Sequence, residues 1–532
     1  MNSWPCEDVG RRNSTLGNKL ECNGSLCKDL HGSFSLVPAV SPTRPQENVT
    51  SSSTQSGQLR DSAAGSPNKA PDEEEVLCDP KFGGGEPGAH QSPTGDQNMK
   101  QDQRERSCDP KSGLCKIDDD QEISQTASLL KFSGDVAKND EKENPMQKSK
   151  PLCDTWEPRF DLCDMAGEVR ILGNSSSVLF VDVDPSRPAA NESWRIRPYA
   201  RKGDNAALEH VRQVLVSSLP AQGGAAACAV HHDVPAIVFS ISGYTGNFFH
   251  DFTDVLVPLF LTSRPFNGEV QFLITDYKWW WVNKYRLILE QLTRYDIIDF
   301  DKEHKVHCYP RAVVGLRRHK ELSIDPSKPP QGFSMVEFAR FMRTAFSLER
   351  DTVTRAGSGR KPRLMIISRK RTRSLVNVGK VVQMAQKVGF EVVVGEMGFS
   401  SDVASFARLV NSCDVLMGVH GAGLTNLIFL PTNGTLIQIV PWGGLEWISN
   451  LDFGQPAVDA HLTYLQYTIK AEESTLIQQY PRDHPVFKNP FSIHRQGWDA
   501  LRSIFLDKQN VRLDVKRFRS LLQQVLSNLL RQ

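Results

Sequence analysis

Three clusters in the sequence combine residue types and spacings that suit proton transfer or anion binding. The first is Ser242-Gly243-Tyr244-Thr245-Gly246-Asn247-Phe248-Phe249-His250-Asp251-Phe252-Thr253-Asp254. Helical side chains three and four apart share a face, so Asn247, His250 and Asp254 line up. A neutral imidazole backed by a carboxylate has a fixed tautomer and raised basicity, which suits a general base near neutral pH. A histidine that only caps or packs a helix has the same spacing. The second cluster, Val419-His420-Gly421-Ala422-Gly423-Leu424-Thr425-Asn426, carries an apolar run into a glycine turn, with a helix expected from Leu424 or Thr425. Glycine lets the backbone approach a ligand closely, and first-turn helix amides suit a diphosphate. The third, Ser368-Arg369-Lys370-Arg371-Thr372-Arg373, follows another apolar run. Guanidinium forks fit phosphate oxygens, although a solvated basic loop reads the same way. Glu446, within Trp442-Gly443-Gly444-Leu445-Glu446-Trp447, is a candidate acceptor for sugar or ribose hydroxyls.

Competing chemistries lack their signatures. Gly421-Ala422-Gly423-Leu424-Thr425-Asn426 ends in Asn where a dinucleotide fingerprint needs Gly, and Gly379-Lys380 continues with Val rather than Ser or Thr. There is no Gly-X-Ser-X-Gly elbow, no Cys-X-X-Cys and no His-X-X-X-His, which argues against a serine hydrolase and a structural zinc. Asp182-X-Asp184 and Asp299-X-Asp301 match a metal-binding triplet that is common in any sequence. Trp279-Trp280-Trp281 suits sugar stacking or, more ordinarily, core packing. Two anion-suited turns in one region point to a nucleotide diphosphate held by protein cations, with no cofactor and no obligatory metal.

The elements that must position these groups follow from the alternation of short apolar runs with amphipathic stretches. Strands are expected at 178–183, 236–240, 270–274, 364–367, 391–394, 414–417 and 436–440, and helices at 251–261, 282–292, 335–348, 376–388 and 403–410. Runs of this kind suit parallel strands buried on both faces, and their alternation with helices means βαβ units. Two α/β lobes, over 151–330 and 331–490, would then face each other, with helices over 491–532 packing back on them. Ligands in such sheets bind beyond the carboxyl ends of the strands. Residues 1–150 hold only 4 of the 44 aromatic residues and carry 18 basic against 24 acidic side chains. So few large apolar groups cannot offset ordering entropy, and this part reads as a disordered stem. The whole chain of 532 residues is near neutral, at +1, and offers no nucleic-acid recognition motif.

Met1 leads directly into polar sequence and no run of 18 apolar residues occurs, so neither a secretory signal nor a membrane anchor is visible. Six Asn-X-Ser/Thr sequons point the other way, among them Asn174, Asn191 and Asn433 beyond the stem. Cys153 and Cys163 suit either a clipped loop or buried thiols.

The blocks Gly243–His250, Val419–Asn426 and Ile439–Trp447 resemble plant glycosyltransferases of family 61. So do Lys150-Pro-Leu-Cys153 with Asp161-Leu-Cys163, Glu472-Glu473-Ser474 and Gln509-Asn-Val511, in order over residues 150–532. The resemblance implies a GT-B fold of two Rossmann-like lobes, the acceptor lobe over 151–330 and the nucleotide-sugar lobe over 331–490, with an inverting mechanism and no obligatory metal. It implies a UDP-pentose donor, a xylan acceptor and a type II membrane-anchored place in the Golgi, alone or in a transferase complex. Carried over by position, Asn247, His250 and Asp254 match the first-lobe motif, and Arg369, Arg373, His420, Gly421, Ala422, Gly423 and Asn426 match the donor side. A transferase acting on glycoproteins and a non-catalytic Golgi scaffold are the alternatives the sequence leaves open.

Overall fold

The computed structural model describes residues 152–182, 192–220, 225–330, 332–355, 357–396 and 402–531. The expected stem, Asp184 and Asn191 lie outside them. Among the described residues, the apolar runs form two sheets. The first holds β1 (Cys153–Asp154), β2 (Leu162–Leu172), β3 (Ser177–Asp182), β4 (Ser193–Ile196), β5 (Val214–Pro220), β6 (Val230–His231), β7 (Ala236–Ser240), β8 (Gln271–Thr275), β9 (Ile298–Asp299) and β10 (Val306–Val314). The second holds β11 (Arg363–Ile367), β12 (Glu391–Gly395), β13 (Val415–Val419), β14 (Thr435–Val440) and β15 (Thr463–Thr468).

The second sheet is parallel throughout, in the order β12-β11-β13-β14-β15, as the mostly apolar runs of β11 to β14 predict, with the unexpected β15 added at one edge. The chain runs outward from β11 to β12 and then crosses to β13 on the other side of β11. The topological switch point therefore falls between β11 and β13. In the first sheet, β10, β7, β8 and β9 are parallel and that sheet's own switch point, the first in chain order, falls between β7 and β10. The first sheet is mixed and not purely parallel as the sequence suggests. β2 runs antiparallel to β1, β3 and β10, because the short turn Gly173–Ser176 reverses the chain, with Ser176 left-handed at φ 52°. Two disulfides, Cys153–Cys163 and Cys228–Cys308, tie this sheet, and Cys413 remains a buried thiol.

The helices depart further from the sequence expectation. The expected helix 251–261 is a π-helix, Asp251–Leu256, running into an α-helix, Val257–Ser263. The expected helix 282–292 is two short helices, Trp279–Lys284 and Arg286–Leu292, broken at Tyr285, whose hydroxyl is held by buried Asp251 at 2.7 Å. One apolar cluster takes side chains from both sheets, including Ile237, Phe239 and Phe272 from the first and Met365, Leu416 and Leu436 from the second. The helix Met335–Ala345 lies in the same core, with Phe338 edge-on to Phe252 and Phe260. The last helix, Val515–Leu529, covers the other face of the second sheet through Phe518, Leu522, Val525 and Leu529.

Candidate functional site

Beyond the carboxyl end of β7, the chain turns through Gly243 and Gly246, both at positive φ. A Cβ on Gly243 would stand 2.6 Å from the Tyr199 ring, so the glycine allows that ring to pass beneath the turn. Asn247 then caps the helix, its side chain accepting from the Phe249 amide at 3.0 Å. Asp251 fastens the turn from inside: it accepts from Gly246 N at 3.0 Å, Trp281 Nε1 at 2.9 Å and Tyr285 OH at 2.7 Å. Trp281 is thus a positioning residue, fully buried, while Trp279 is 58% exposed.

His250 Nδ1 lies 2.9 Å from Asp254 Oδ2. The same oxygen accepts from Tyr199 OH at 2.8 Å and Arg201 Nε at 2.8 Å, and Arg318 Nη2 stands 3.6 Å from Oδ1. Burial alone would raise the Asp254 pKa. Arg201, the hydrogen bond from His250 and the Arg318 charge outweigh it and hold the carboxyl well below the usual range. An ionised carboxylate only accepts, so Nδ1 of His250 carries the proton and Nε2 keeps its lone pair. Glu321 completes the network, pairing with Arg159 at 3.2 Å, Arg201 at 3.3 Å and Arg318. Arg318 and Glu321 follow β10 and His250 and Asp254 follow β7, so the network occupies the first switch point.

The second switch point holds the other cluster. Arg369 and Arg373 follow β11 and the glycine turn follows β13. A Cβ on Gly421, at φ 143°, would stand 2.7 Å from Arg369 Nη1 and 3.1 Å from Arg373 Nη1. Both guanidinium groups therefore lie on the bare backbone of the turn, and Arg373 Nη1 donates to His420 O at 3.2 Å. Burial first, then the neighbouring Arg369 charge, pull the Arg373 pKa down to about 9. Like charges crowded on a backbone turn suit an anion that relieves their repulsion. The helix after the turn starts at Ala422, earlier than expected, and is a 3-10 helix, Ala422–Phe429. A Cβ on Gly423 would press to 2.8 Å on Ile367 Cγ2. Asn426 is buried and donates to Gly423 O at 2.8 Å, stiffening the turn from beneath.

His420 is buried, and Gln438 Nε2 donates to its Nδ1 at 2.9 Å. Tyr464 OH, donating to Gln438 Oε1 at 2.9 Å, fixes that amide orientation and leaves the imidazole proton on Nε2. Burial, with the charges of Arg373 and Arg369, pushes the His420 pKa down to about 3, so it is a neutral donor and not a cation. The two clusters meet through aromatic contacts: Phe453 packs 5.4 Å from Phe249 and 5.6 Å from His420, and Phe249 lies 5.4 Å from His250.

A family model described as Glycosyltransferase 61 matches residues 248–437. The chain is 54% identical over 395 residues to "Alpha-1,3-arabinosyltransferase XAT3" of Oryza sativa subsp. japonica, covering 74% of this chain and 68% of that protein. It belongs to glycosyltransferase family 61. "Beta-1,2-xylosyltransferase XYXT1" of the same plant is 45% identical, with 70% of this chain and 83% of that protein covered. "Xylan glycosyltransferase MUCI21" of Arabidopsis thaliana is 35% identical over 72% of this chain and 81% of that protein. Among solved structures, the iron-containing heptosyltransferase TibC spans 72% of this chain and 99% of that chain at TM-score 0.26 and 11% identity, too low to bear on fold or chemistry.

The family 61 match contains His250, Asp254, Arg369, Arg373 and the 420–426 turn. Asn247 falls just outside, and Glu446, half-buried at the head of the helix Glu446–Ser449, lies beyond it. The structure brings the other candidates together in two groups but gives Glu446 no hydrogen bond to either among the described residues. Tyr199, Arg201, Arg318, Glu321 and Asp452 went unread in the sequence. For the first four the charged stretches Arg195–Lys202 and Arg317–Glu321 were the signal, one that solvated loops share, while Asp452 had none. Of the Asp-X-Asp pairs, Asp301 is taken by Thr275 Oγ1, Asp276 N and Arg212, and Asp299 by Lys302. Of the sequons, Asn174 and Asn433 are exposed, the latter at φ 66°.

Proposed function

We propose that this family 61 glycosyltransferase moves a pentose from a UDP-sugar to xylan, with inversion. The observation that carries the reading is that the two switch-point clusters, one suited to a base and one to a diphosphate, meet across the Phe249–Phe453–His420 contact. In this reading the two sheets are the cores of the two lobes of a GT-B enzyme: the acceptor lobe at 151–330, the nucleotide-sugar lobe at 331–490, and 491–532 packing back.

The diphosphate takes the Gly421–Gly423 backbone and the forks of Arg369 and Arg373. The acceptor hydroxyl attacks the anomeric carbon from the face opposite UDP. His250 Nε2 takes its proton as the new C–O bond forms, and the anomeric bond to the diphosphate breaks with its electron pair leaving on UDP. Asp254 stabilises the imidazolium, and the arginine pair neutralises the leaving group without an obligatory metal. One displacement inverts the centre, and a β-linked xylosyl product from α-configured UDP-xylose, as the name of the xylosyltransferase relative implies, would need the same inversion. The higher identity to the arabinosyltransferase favours arabinose as the sugar moved. Two disulfides and two exposed sequons support a place in the secretory pathway, with the Golgi the compartment we infer. Among the described residues no helix is long and apolar enough to cross a membrane.

The test is incubation of the purified protein with UDP-xylose or UDP-arabinofuranose and xylo-oligosaccharides, with UDP release, linkage and anomeric configuration read by NMR. The expected product carries one added pentose of inverted configuration, formed equally well in EDTA. Absence of UDP release with both donors would favour a scaffold, and transfer only to glycopeptides would move the acceptor class.

A further inference from the structure

Asp452 belongs to the π-helix Asn450–Gly454, between Glu446–Ser449 and β15. Its side chain is 17% exposed, and His420 Nε2 stands 4.0 Å from Oδ2. Among the described residues no N–H or O–H group donates a hydrogen bond to this carboxyl. The other charged groups that face it are Glu321, Arg201 and Arg318, all from the first sheet's switch point. Both arginines are already engaged by Asp254 and Glu321. Asp452 therefore stands where the two clusters meet, mostly covered but open enough to meet a ligand, with no protein group among the described residues donating to its carboxyl.

The chemistry of the missing partner is constrained by charge. A carboxylate beside His420 repels a diphosphate, and the arginine pair on Gly421 offers the diphosphate a better seat. The group that suits Asp452 is neutral and donates hydrogen bonds and, on the reading of the second cluster as a diphosphate seat, is joined to the phosphates. A sugar esterified to the diphosphate meets all three conditions. We propose that Asp452 accepts hydrogen bonds from the hydroxyl groups of the donor pentose and so fixes the sugar between the glycine turn and His250. This rests on the reading of the second cluster as the nucleotide-sugar site. Burial first, and Glu321 second, push the Asp452 carboxyl up to about 7 against the pull of Arg201 and Arg318. Accepting two hydroxyls favours the ionised form, so donor affinity should rise as pH rises through that region.

Calorimetry with UDP, UDP-xylose and UDP-arabinofuranose tests the assignment on the full chain and on Asp452→Asn. The variant should bind UDP within about twofold of the parent and the preferred UDP-pentose about ten- to hundredfold more weakly, as for hydrogen bonds to a charged group. The parent's UDP-pentose affinity should rise between about pH 6 and pH 8 and that of Asp452→Asn should not, a comparison of two proteins with one ligand whose phosphodiester charges do not titrate there. Equal weakening of UDP and UDP-pentose would make Asp452 a support of the turn and overturn the proposal. Unchanged pentose affinity with a fall in turnover would overturn it in favour of proton transfer. A parent that binds no UDP at all would remove the donor-site reading itself and this inference with it, an outcome distinct from either variant result.

Discussion

His250 and Asp254 lie four residues apart, and the pair was legible because that spacing alone brings two side chains together on a helix. What holds Asp254 ionised was not legible, since Tyr199, Arg201 and Arg318 reach it across 55, 53 and 64 positions of chain. In the proposed reaction, His250→Ala should lower turnover by roughly 10²–10⁴ while leaving UDP affinity nearly intact, the usual loss for a general base. Single-turnover assays beside UDP calorimetry separate the two quantities, and near-normal turnover would remove His250 from the reaction. Asp254→Asn tests the network itself. Removing the Asp254 charge from this buried, hydrogen-bonded cluster leaves Glu321 as the main counter-charge for both Arg201 and Arg318 and costs up to about 3–5 kcal/mol. Because the folded carboxyl titrates below its unfolded value, its stabilisation is full above about pH 4 and is lost as pH falls through the folded value. The gap between parent and variant in denaturant melts should therefore be wide at neutral pH and should narrow in acid.

At the scale of elements, β11 to β14 of the second sheet were read within a residue or two, most plainly β13 and β14, whose five or six consecutive buried positions leave little ambiguity, while β15, mostly half-buried with Gln466 and two threonines, was missed. β2 and β10 were missed because Glu168, Arg170 and Arg311 interrupt their apolar pattern on the sheet's half-covered side. The π-helix Asp251–Leu256 leaves no trace in the sequence, since hydrogen-bond register is set by the surrounding core and not by apolar period. The glycine turn was legible as a close-approach device and Arg369 and Arg373 as its companion cations, but the direct approach of both guanidinium groups to Gly421 was not. That contact makes Gly421→Ala a sharp test: the added methyl meets Arg369 Nη1 at 2.7 Å in a backbone conformation that alanine rarely adopts. The expected result is a loss of UDP affinity of about tenfold or more, read by calorimetry, with the overall melting temperature shifted by only a few degrees. A variant with parental UDP affinity would detach the turn from the donor.

At the scale of the molecule, the two lobes expected from the sequence share one apolar cluster, which couples them energetically. Phe249 and Phe252 of the first half pack against Phe453 and Phe429 of the second, and Phe338 of the intervening helix touches Phe252. Separating the halves would expose several fully buried aromatic side chains at about 1.5–3 kcal/mol each. A difference of that size exceeds what either half could lose and remain folded on its own. The described region should accordingly unfold in a single transition, with tryptophan fluorescence and far-ultraviolet dichroism coincident, and fragments 152–330 and 331–532 should not fold separately. Saturating UDP should raise the midpoint of that one transition, because a ligand held at the second switch point stabilises everything that shares its core. Two resolved transitions, with UDP shifting only one, would show that the halves are thermodynamically independent despite their common packing.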